Sequence, residues 1–509
     1  MFIASVVAVS FFCALLITPL VARYAANRRL YDLPGGRRVH TRPVPRLGGV
    51  AIFIALLASM AVVLPRILEN HNGLGDEANF FVGTLLGGVI IFAAGLRDDL
   101  KALPPVVKLL FQIVAALVVY AFGVRIEVLA LGPVTTVDTG WLALPLTVCW
   151  IVGVTNAINL IDGLDGLATG IALVALAATM AVAGVMGRVE VVIMSAALTG
   201  ALAGFLLYNF NPARIFLGDS GSYLIGFMLS VLAIQGSFKS GTATLVVVPA
   251  LALGLPILDV ALAIARRWLR GVPIFGADAG HIHHRLLALG LTHRRAVFVM
   301  YAIASILAMV GMLLVFTPPA AVLGISLGGG LLVLALVGYG IRRLDYHEFQ
   351  VAGSAVTRGA LRARHQIRFR IQARELVRAI ESSGGVRQVN SLLEQNAARL
   401  GVMDIAFGPR GSLDQTVSNQ QSDAVKIEIP ISINDREVDY ILWIWCDRNS
   451  DRKSNSGEAL GLLLVPALER MLERMAGGTR RILQDNNLAD WRQKITEEIH
   501  TASRIVAGR

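Results

Sequence analysis

Charge is what this chain has least of. Only 16% of its 509 residues are Asp, Glu, Lys or Arg, against roughly a quarter in an ordinary soluble domain. Cysteine is also scarce. Cys13, Cys149 and Cys446 are odd in number and far apart, which excludes a disulfide framework and leaves no zinc-ligand spacing. With 55% apolar residues and a mean hydropathy of +0.64, a disordered chain is excluded too. An ordinary soluble enzyme is a poor fit. Fifty glycines suit helices packed closely in lipid, where small residues let backbones approach.

The little charge there is lies unevenly. Residues 1–341 hold 21 basic and 14 acidic residues, and residues 342–509 hold 25 and 21. The first two thirds read as membrane protein and the last third as soluble domain. The net charge of +11 then belongs to basic loops facing the cytoplasm and anionic lipid, and no nucleic-acid partner is expected.

Eleven hydrophobic segments can be marked at 3–22, 48–65, 79–96, 105–123, 141–158, 166–186, 190–208, 222–237, 243–265, 297–316 and 320–341. Most approach the roughly 20 residues of a spanning helix. The expected fold is an all-α polytopic membrane protein of about eleven transmembrane helices. The first segment lacks a basic residue ahead of it and reads as an uncleaved anchor. With the first loop inside, 17 basic residues fall on the cytoplasmic side and only Arg66, Arg125, Arg188 and Lys239 outside. That is a positive-inside bias. It places the C-terminal third in the cytoplasm.

Carboxylates at a membrane boundary are costly and usually functional. Those on the predicted inner side are Asp32, Asp98, Asp99, Asp162, Asp165, Asp219, Asp259 and Asp278. Nearly all sit at helix ends or in short Gly-rich loops. Acid groups converging on one face need a cation, and oxygen ligands of this kind suit Mg²⁺ shared with substrate phosphates, with Mn²⁺ as a substitute.

Four elements carry them. Asp98-Asp99 follows an apolar helix. In Asn156-Ala157-Ile158-Asn159-Leu160-Ile161-Asp162-Gly163-Leu164-Asp165-Gly166, the three-residue steps put Asn156, Asn159 and Asp162 on one helix face. A helix cap explains one of the two aspartates but not all four polar groups. Gly218-Asp219-Ser220-Gly221-Ser222 opens a helix whose N–H groups favour an anion. Asn209 precedes it, and Phe216 offers a flat face for a base. As a bare N-cap Asp219 would also be ordinary. His281, His283, His284 and Arg285 lie in a long basic loop and can contact a diphosphate. On the same side, the stretch from His40 to Gly49 adds Arg42 and Arg46. Asp259, one to two turns before Arg266 and Arg267, is expected to pair with those arginines.

Together these motifs resemble the polyprenyl-phosphate N-acetylhexosamine-1-phosphate transferases over about residues 20–295. Asp98-Asp99 is similar to that family's acidic pair, Asn156–Gly166 to its N-x-x-N-x-x-D-G-x-D-G element, and Phe216–Ser222 to its F-x-G-D-x-G-S element. His281–Arg285 resembles the histidine motif of the branch that uses UDP-N-acetylglucosamine. Where many members carry a third acid in D-D-x-x-D, this chain has Ala102.

The resemblance implies transfer of N-acetylglucosamine-1-phosphate from UDP-N-acetylglucosamine to undecaprenyl phosphate, with release of UMP, at the start of a lipid-linked envelope glycan. It implies Asp219 and Asp99 as Mg²⁺ ligands, and Asp98, Asp99 and Asp162 as catalytic groups. Asn156, Asn159, Asp165, Asn209 and Phe216 would hold the nucleotide. His281, His283, His284 and Arg285 would hold the sugar diphosphate, and Arg42, Arg46 and Lys108 the lipid phosphate. A UDP-N-acetylmuramoyl-pentapeptide transferase of the same superfamily, or a transporter of lipid-linked sugars, stands as the alternative.

After residue 341, residues 342–385 read as a basic linker helix with Arg358, Arg362, Arg364, Arg368, Arg370, Arg374 and Arg378, suited to a bilayer surface or to solvent. Residues 386–509 read as a cytoplasmic α/β accessory domain. Its elements are a helix at 386–400, strands at 425–431 and 439–445, and a helix at 458–475. The order distantly resembles a GAF or PAS sensor domain. Regulation, homodimerisation or docking of a downstream glycosyltransferase would suit it.

Overall fold

In a computed structural model, the described residues are 1–32, 43–69, 75–130, 136–237, 248, 250–270, 272, 280–344, 346, 348–349, 363–383, 385–400, 402, 404–409, 424–431, 440–447, 460–461 and 463–471. Helices dominate. In chain order they are α1 (Phe2–Asn27), α2 (Gly48–Glu69), α3 (Asp76–Leu100), α4 (Pro105–Ala121), α5 (Ala143–Ile161), α6 (Leu167–Val185), α7 (Val189–Asn209) and α8 (Gly218–Ser237). Then come α9 (Gly254–Arg270), α10 (Ile282–Ala288), α11 (His293–Val315) and α12 (Pro319–Arg343). Two small antiparallel ribbons interrupt them: β1 (Tyr31–Asp32) with β2 (Val44–Pro45), and β3 (Val128–Ala130) with β4 (Thr136–Asp138).

Among the described residues, eight helices are long and apolar enough to cross a bilayer, and each falls on one of the eleven expected segments. The protein is a multi-pass membrane protein. Three expected segments differ. Helix α4 is 17 residues long, below the usual span. Helix α8 has the length, but its first turns are polar: Asp219, Ser220, Ser222. Segment 243–265 lies partly outside the described residues, and α9 begins at Gly254.

Local chemistry sets where helices begin. Pro105 occupies the first turn of α4, where its missing N–H costs nothing. Gly166 takes φ +77°, a left-handed turn that lets α6 start at once.

Helix α8 is the hub of the membrane unit. It packs against α2, α3, α5, α6 and α7, and Leu224, Ile225, Phe227, Met228, Val231 and Leu232 along it are fully buried. Close approach replaces the hydrophobic effect as the binding force between helices in lipid. At Gly95 of α3 an added Cβ would come within 2.5 Å of Ser220 Cα. The C-terminal ends of α3, α5 and α7 and the N-terminal ends of α4 and α8 thereby meet at one end of the bundle.

The chain divides into two compact units. The first comprises residues 1–265 and 275–345, and the second residues 266–274 and 346–509. In the second unit, α13 (Ala363–Ser382) and α14 (Val386–Leu400) are followed by β5 (Asp404–Pro409), β6 (Ala424–Ile431) and β7 (Tyr440–Asp447). The strands form an antiparallel sheet of order β5-β7-β6, with Ile405 and Ile427 both opposite Ile444. Residues 463–471 are helical. Leu376, Leu393, Phe407, Leu442, Ile444 and Leu464 form one core, while Ile441, Trp443 and Trp445 cluster on the other sheet face. The helix at 386–400 and the two expected strands are present. Strand β5 is an addition to the expected elements. It is six residues ending in Gly408-Pro409, a pair that reads as a turn.

Candidate active site

The helix ends that meet at α8 enclose a cavity of about 450 Å³. Eleven of the expected site residues line it: Arg46, Asp98, Asp99, Lys108, Asn159, Asp162, Asp165, Asn209, Phe216, Asp219 and His284. They come from six stretches of sequence. Asn156, His281, His283 and Arg285 do not line it, and Arg42 lies outside the described residues.

At the cavity floor α3 meets the start of α8. Asp99 accepts the backbone N–H of Asp219 at 2.8 Å and of Ser220 at 3.0 Å, and the Ser220 hydroxyl at 2.6 Å. It is 4% exposed. Both oxygens are therefore spent on capping α8. Gly218 makes this possible. Its φ is +74°, and a Cβ there would lie 2.7 Å from Asp99 Oδ2.

Asp219 points the other way. Asn159 donates to its Oδ1 at 3.0 Å and to Ser222 Oγ at 2.8 Å. Lys108 reaches its Oδ2 at 3.3 Å and also donates to Asp98. Asp98 further accepts the Leu103 N–H at 2.6 Å. Two carboxylates from α3 and α8 thus share one ammonium, so this point of the cavity already holds a positive charge.

Asp162 caps the C-terminal end of α5 beside them. Its carboxyl is pushed up to about 8, first by loss of solvent and then by Asp219, Asp165 and Asp99. Carboxylates facing one another raise the cost of ionising any of them. A cation relieves that cost. Among the described residues there is no cage of three or more acidic, His or Cys ligands. Mg²⁺ does not need one, since it commonly takes one or two carboxylates and fills its shell with water and phosphate oxygens. Asp98, Asp99 and Asp219 all line the cavity and supply carboxylates of that kind, with Lys108 bonded to the first and the last.

The far wall is built by α5–α6 and the loop after α7. Asp165 Oδ2 accepts Asn211 Nδ2 at 2.9 Å and the Ala213 N–H at 3.0 Å. Asn209, 2% exposed, donates to the Ile215 carbonyl at 3.0 Å and accepts Thr169 Oγ1 at 3.1 Å. These two shape the loop that presents Phe216. Backbone bonds to Pro45 and Gly48 fix Phe216 itself and carry Arg46 alongside it.

The histidine motif divides. His284 lines the cavity. His283 is 1% exposed, and its ring fills the space where a Cβ on Gly163 would sit. Burial and then His284 push His283 down to about 3, so it is a neutral spacer. His281 Nδ1 lies 2.9 Å from Asp259 Oδ2, and Asp259 Oδ1 accepts the Ile282 N–H at 2.9 Å. Asp259 thus bonds the start of α10, which corrects the expectation of an Asp259–arginine pair. Helical spacing suggested Arg266 and Arg267, but the returning loop brings His281 within hydrogen-bond distance. Arg285 donates to the Leu344 carbonyl at 3.1 Å.

Asp32 and His293 also line the cavity. Asp32 is one of the inner acids to which the sequence assigns no role, and no spacing singles out His293. Ser220 and Ser222 stand inside the motif around Asp219, where the order Gly-Asp-Ser-Gly-Ser is the available signal.

Residues 81–237 match the family described as Glycosyl transferase family 4, a range that includes Asp98, Asp162 and Asp219. Over 299 residues the chain is 41% identical to a probable undecaprenyl-phosphate N-acetylglucosaminyl 1-phosphate transferase of Bacillus subtilis, covering 58% of this chain and 81% of that one. It is 33% identical over 338 residues to a decaprenyl-phosphate N-acetylglucosaminephosphotransferase of Mycobacterium leprae, covering 61% and 83%. A phospho-N-acetylmuramoyl-pentapeptide-transferase of Moorella thermoacetica is 34% identical over 179 residues, covering 35% and 54%. With that coverage, and with the motifs gathered around one cavity, the chain belongs to the polyprenyl-phosphate N-acetylhexosamine-1-phosphate transferases of glycosyl transferase family 4.

Proposed function

We propose that this enzyme transfers N-acetylglucosamine-1-phosphate from UDP-N-acetylglucosamine to undecaprenyl phosphate and releases UMP. The observation that carries the reading is the meeting of Asp98, Asp162, Asp219 and Lys108 with Phe216 in a single cavity. A phosphate oxygen of the lipid attacks the sugar-bearing phosphorus of the donor. One P–O bond forms, and the P–O bond to UMP breaks. Such transfers depend on positioning and charge neutralisation more than on covalent help from the protein.

Each residue has a task on this reading. Asp219, with Asp98 beside it, holds Mg²⁺, which supplies positive charge to the diphosphate. Lys108 and Arg46 attract the lipid phosphate, and Asp98 steers it through Lys108. Asp99 fixes the turn that aims Asp219. Asp162 and Asn159 orient the donor. Phe216 stacks on the uracil, within a wall that Asp165 and Asn209 shape, and His284 contacts the sugar diphosphate. On this reading the basic residues at this end of the bundle face the cytoplasm from a bacterial inner membrane, where the soluble donor meets the membrane-held acceptor. We assign the accessory unit a sensor-type or docking role, including contact with a second copy or a downstream glycosyltransferase.

The test is direct. Purified protein in detergent with undecaprenyl phosphate and Mg²⁺ is given UDP-N-acetylglucosamine, UDP-N-acetylgalactosamine or the UDP-muramoyl-pentapeptide, and UMP is measured. UMP from the first supports the reading. UMP from the pentapeptide alone moves the enzyme to the other branch, and none from any donor defeats it.

A further inference from the structure

The reaction proposed above depends on how Asp219 is aimed, and each of its two oxygens is held from a different helix. Asn159 of α5 bonds Oδ1 at 3.0 Å, and Lys108 of α4 reaches Oδ2 at 3.3 Å. One turn deeper, a pair of amides joins the same two helices. Asn156 Nδ2 donates to Gln112 Oε1 at 2.6 Å, and Gln112 Nε2 returns to Asn156 Oδ1 at 3.4 Å.

The register is what matters. Gln112 lies four residues after Lys108, and Asn156 three before Asn159, so each amide shares a helix face with the residue it supports. The Asn156 nitrogen also donates to the Val152 carbonyl of its own helix at 2.8 Å, which fixes it to α5. Gln112 is the member that brings α4 to it. It is 2% exposed, while the outer face of α4 is open, with Val106 at 67% and Leu110 at 56%. Helix α4 packs mainly on α3 and α5. Its apolar contacts are non-directional and tolerate sliding. A buried pair of hydrogen bonds does not, because slippage leaves polar atoms unsatisfied.

We propose that Gln112 is a positioning residue of the catalytic centre: through Asn156 it fixes the α4–α5 register at which Lys108 and Asn159 close on the two oxygens of Asp219. Gln112 touches no part of the cavity, so its effect runs entirely through those side chains.

The inference rests on the transferase reading, and its test separates the two. The full-length protein is compared as wild type, Gln112→Leu, Gln112→Glu and the reciprocal exchange Q112N/N156Q. Two quantities are read: UMP release, and Mn²⁺ binding by calorimetry, which needs no turnover. In Gln112→Leu, kcat is expected to fall about tenfold and Mn²⁺ binding to weaken about fivefold, with KM for UDP-N-acetylglucosamine within twofold. The exchange, which rebuilds an amide pair of the same total length, is expected to recover at least half of both losses. If Gln112→Leu does not accumulate, Gln112→Glu is read in its place. Wild-type values of kcat and Mn²⁺ affinity in the variant that accumulates overturn the proposal. So does a loss in the exchange as deep as in the single variant. Wild-type protein that binds Mn²⁺ but releases no UMP counts against the transferase reading, and the Mn²⁺ comparison still decides the role of Gln112.

Discussion

Asp99 and Ser220 are 121 positions apart, and the hydroxyl and N–H of Ser220 both end on one oxygen of Asp99. This contact ties α3 to α8 and sets the direction of the neighbouring Asp219. Replacing Ser220 by Ala removes one hydrogen bond to a buried carboxylate, worth about 1.5–3 kcal/mol. The thermal midpoint should drop by several degrees and turnover by about tenfold. Asp99→Ala strands two N–H groups as well and should cost clearly more in both. A Ser220→Ala protein with unchanged midpoint and turnover would remove this contact from the account.

Asp219 has the opposite profile. Its side chain holds nothing in the backbone, so Asp219→Ala should leave the protein inserted and folded. Metal-dependent UMP release should fall by at least 100-fold, in line with loss of a group acting on transition-state charge. Mn²⁺ calorimetry should show the matching loss of binding. Retention of metal binding would transfer the ligand role to Asp98.

Asp162 predicts a pH effect with a definite sign. Its carboxyl, raised to about 8 by burial and the facing carboxylates, is mostly protonated at neutral pH. A cation favours the ionised form, so binding should release a proton. Mg²⁺ affinity should therefore rise with pH up to about 8 and flatten above it. The stability sign also follows. Between about pH 4 and 8 the folded state keeps a proton that the unfolded chain has lost, so the metal-free protein becomes less stable as pH rises through that window. Calorimetry in two buffers of different ionisation enthalpy measures the proton, and Asp162→Asn should abolish its release.

Phe216 tests where the nucleotide lies. Base–aromatic stacking is worth about 1–3 kcal/mol. Phe216→Ala should raise KM for the UDP-sugar about tenfold, with kcat changed only a few-fold, and Phe216→Tyr should restore it. An unchanged KM in Phe216→Ala would put the uracil elsewhere.

Much of this site is legible in the sequence because carboxylates at a membrane edge are costly wherever they stand. Asp98, Asp162 and Asp219 can be named from that cost and from their neighbours. What each carboxylate touches is not legible. Asp99 and Asp98 look alike in sequence, yet Asp99 bonds the start of α8, about 120 positions on, while Asp98 bonds Leu103 and Lys108 close by. Asp165 and Asn209 are polar in a fitting pattern, but they hydrogen-bond the loop after α7 and the start of α6. Asp259 shows the limit of helical spacing, since its partner arrives from a loop 22 residues later. Hydropathy marks 222–237 as a segment but does not show that α8 is the hub. The serines of α8 lower its apolar signal because other helices, not lipid, surround it.

The brevity of α4 has its own consequence. Seventeen residues rising about 1.5 Å each give a rod of about 26 Å, shorter than the roughly 30 Å hydrocarbon core of a bilayer. Its outer side is apolar and exposed at Val106, Leu110 and Val114. A short apolar helix in lipid is met by a thinner bilayer, by snorkelling side chains or by neighbouring helices, and Lys108, in the first turns of α4, is bonded to Asp98 and Asp219. On the proposed reading, a helix this short would bring its lysine and the acceptor's headgroup to a common depth.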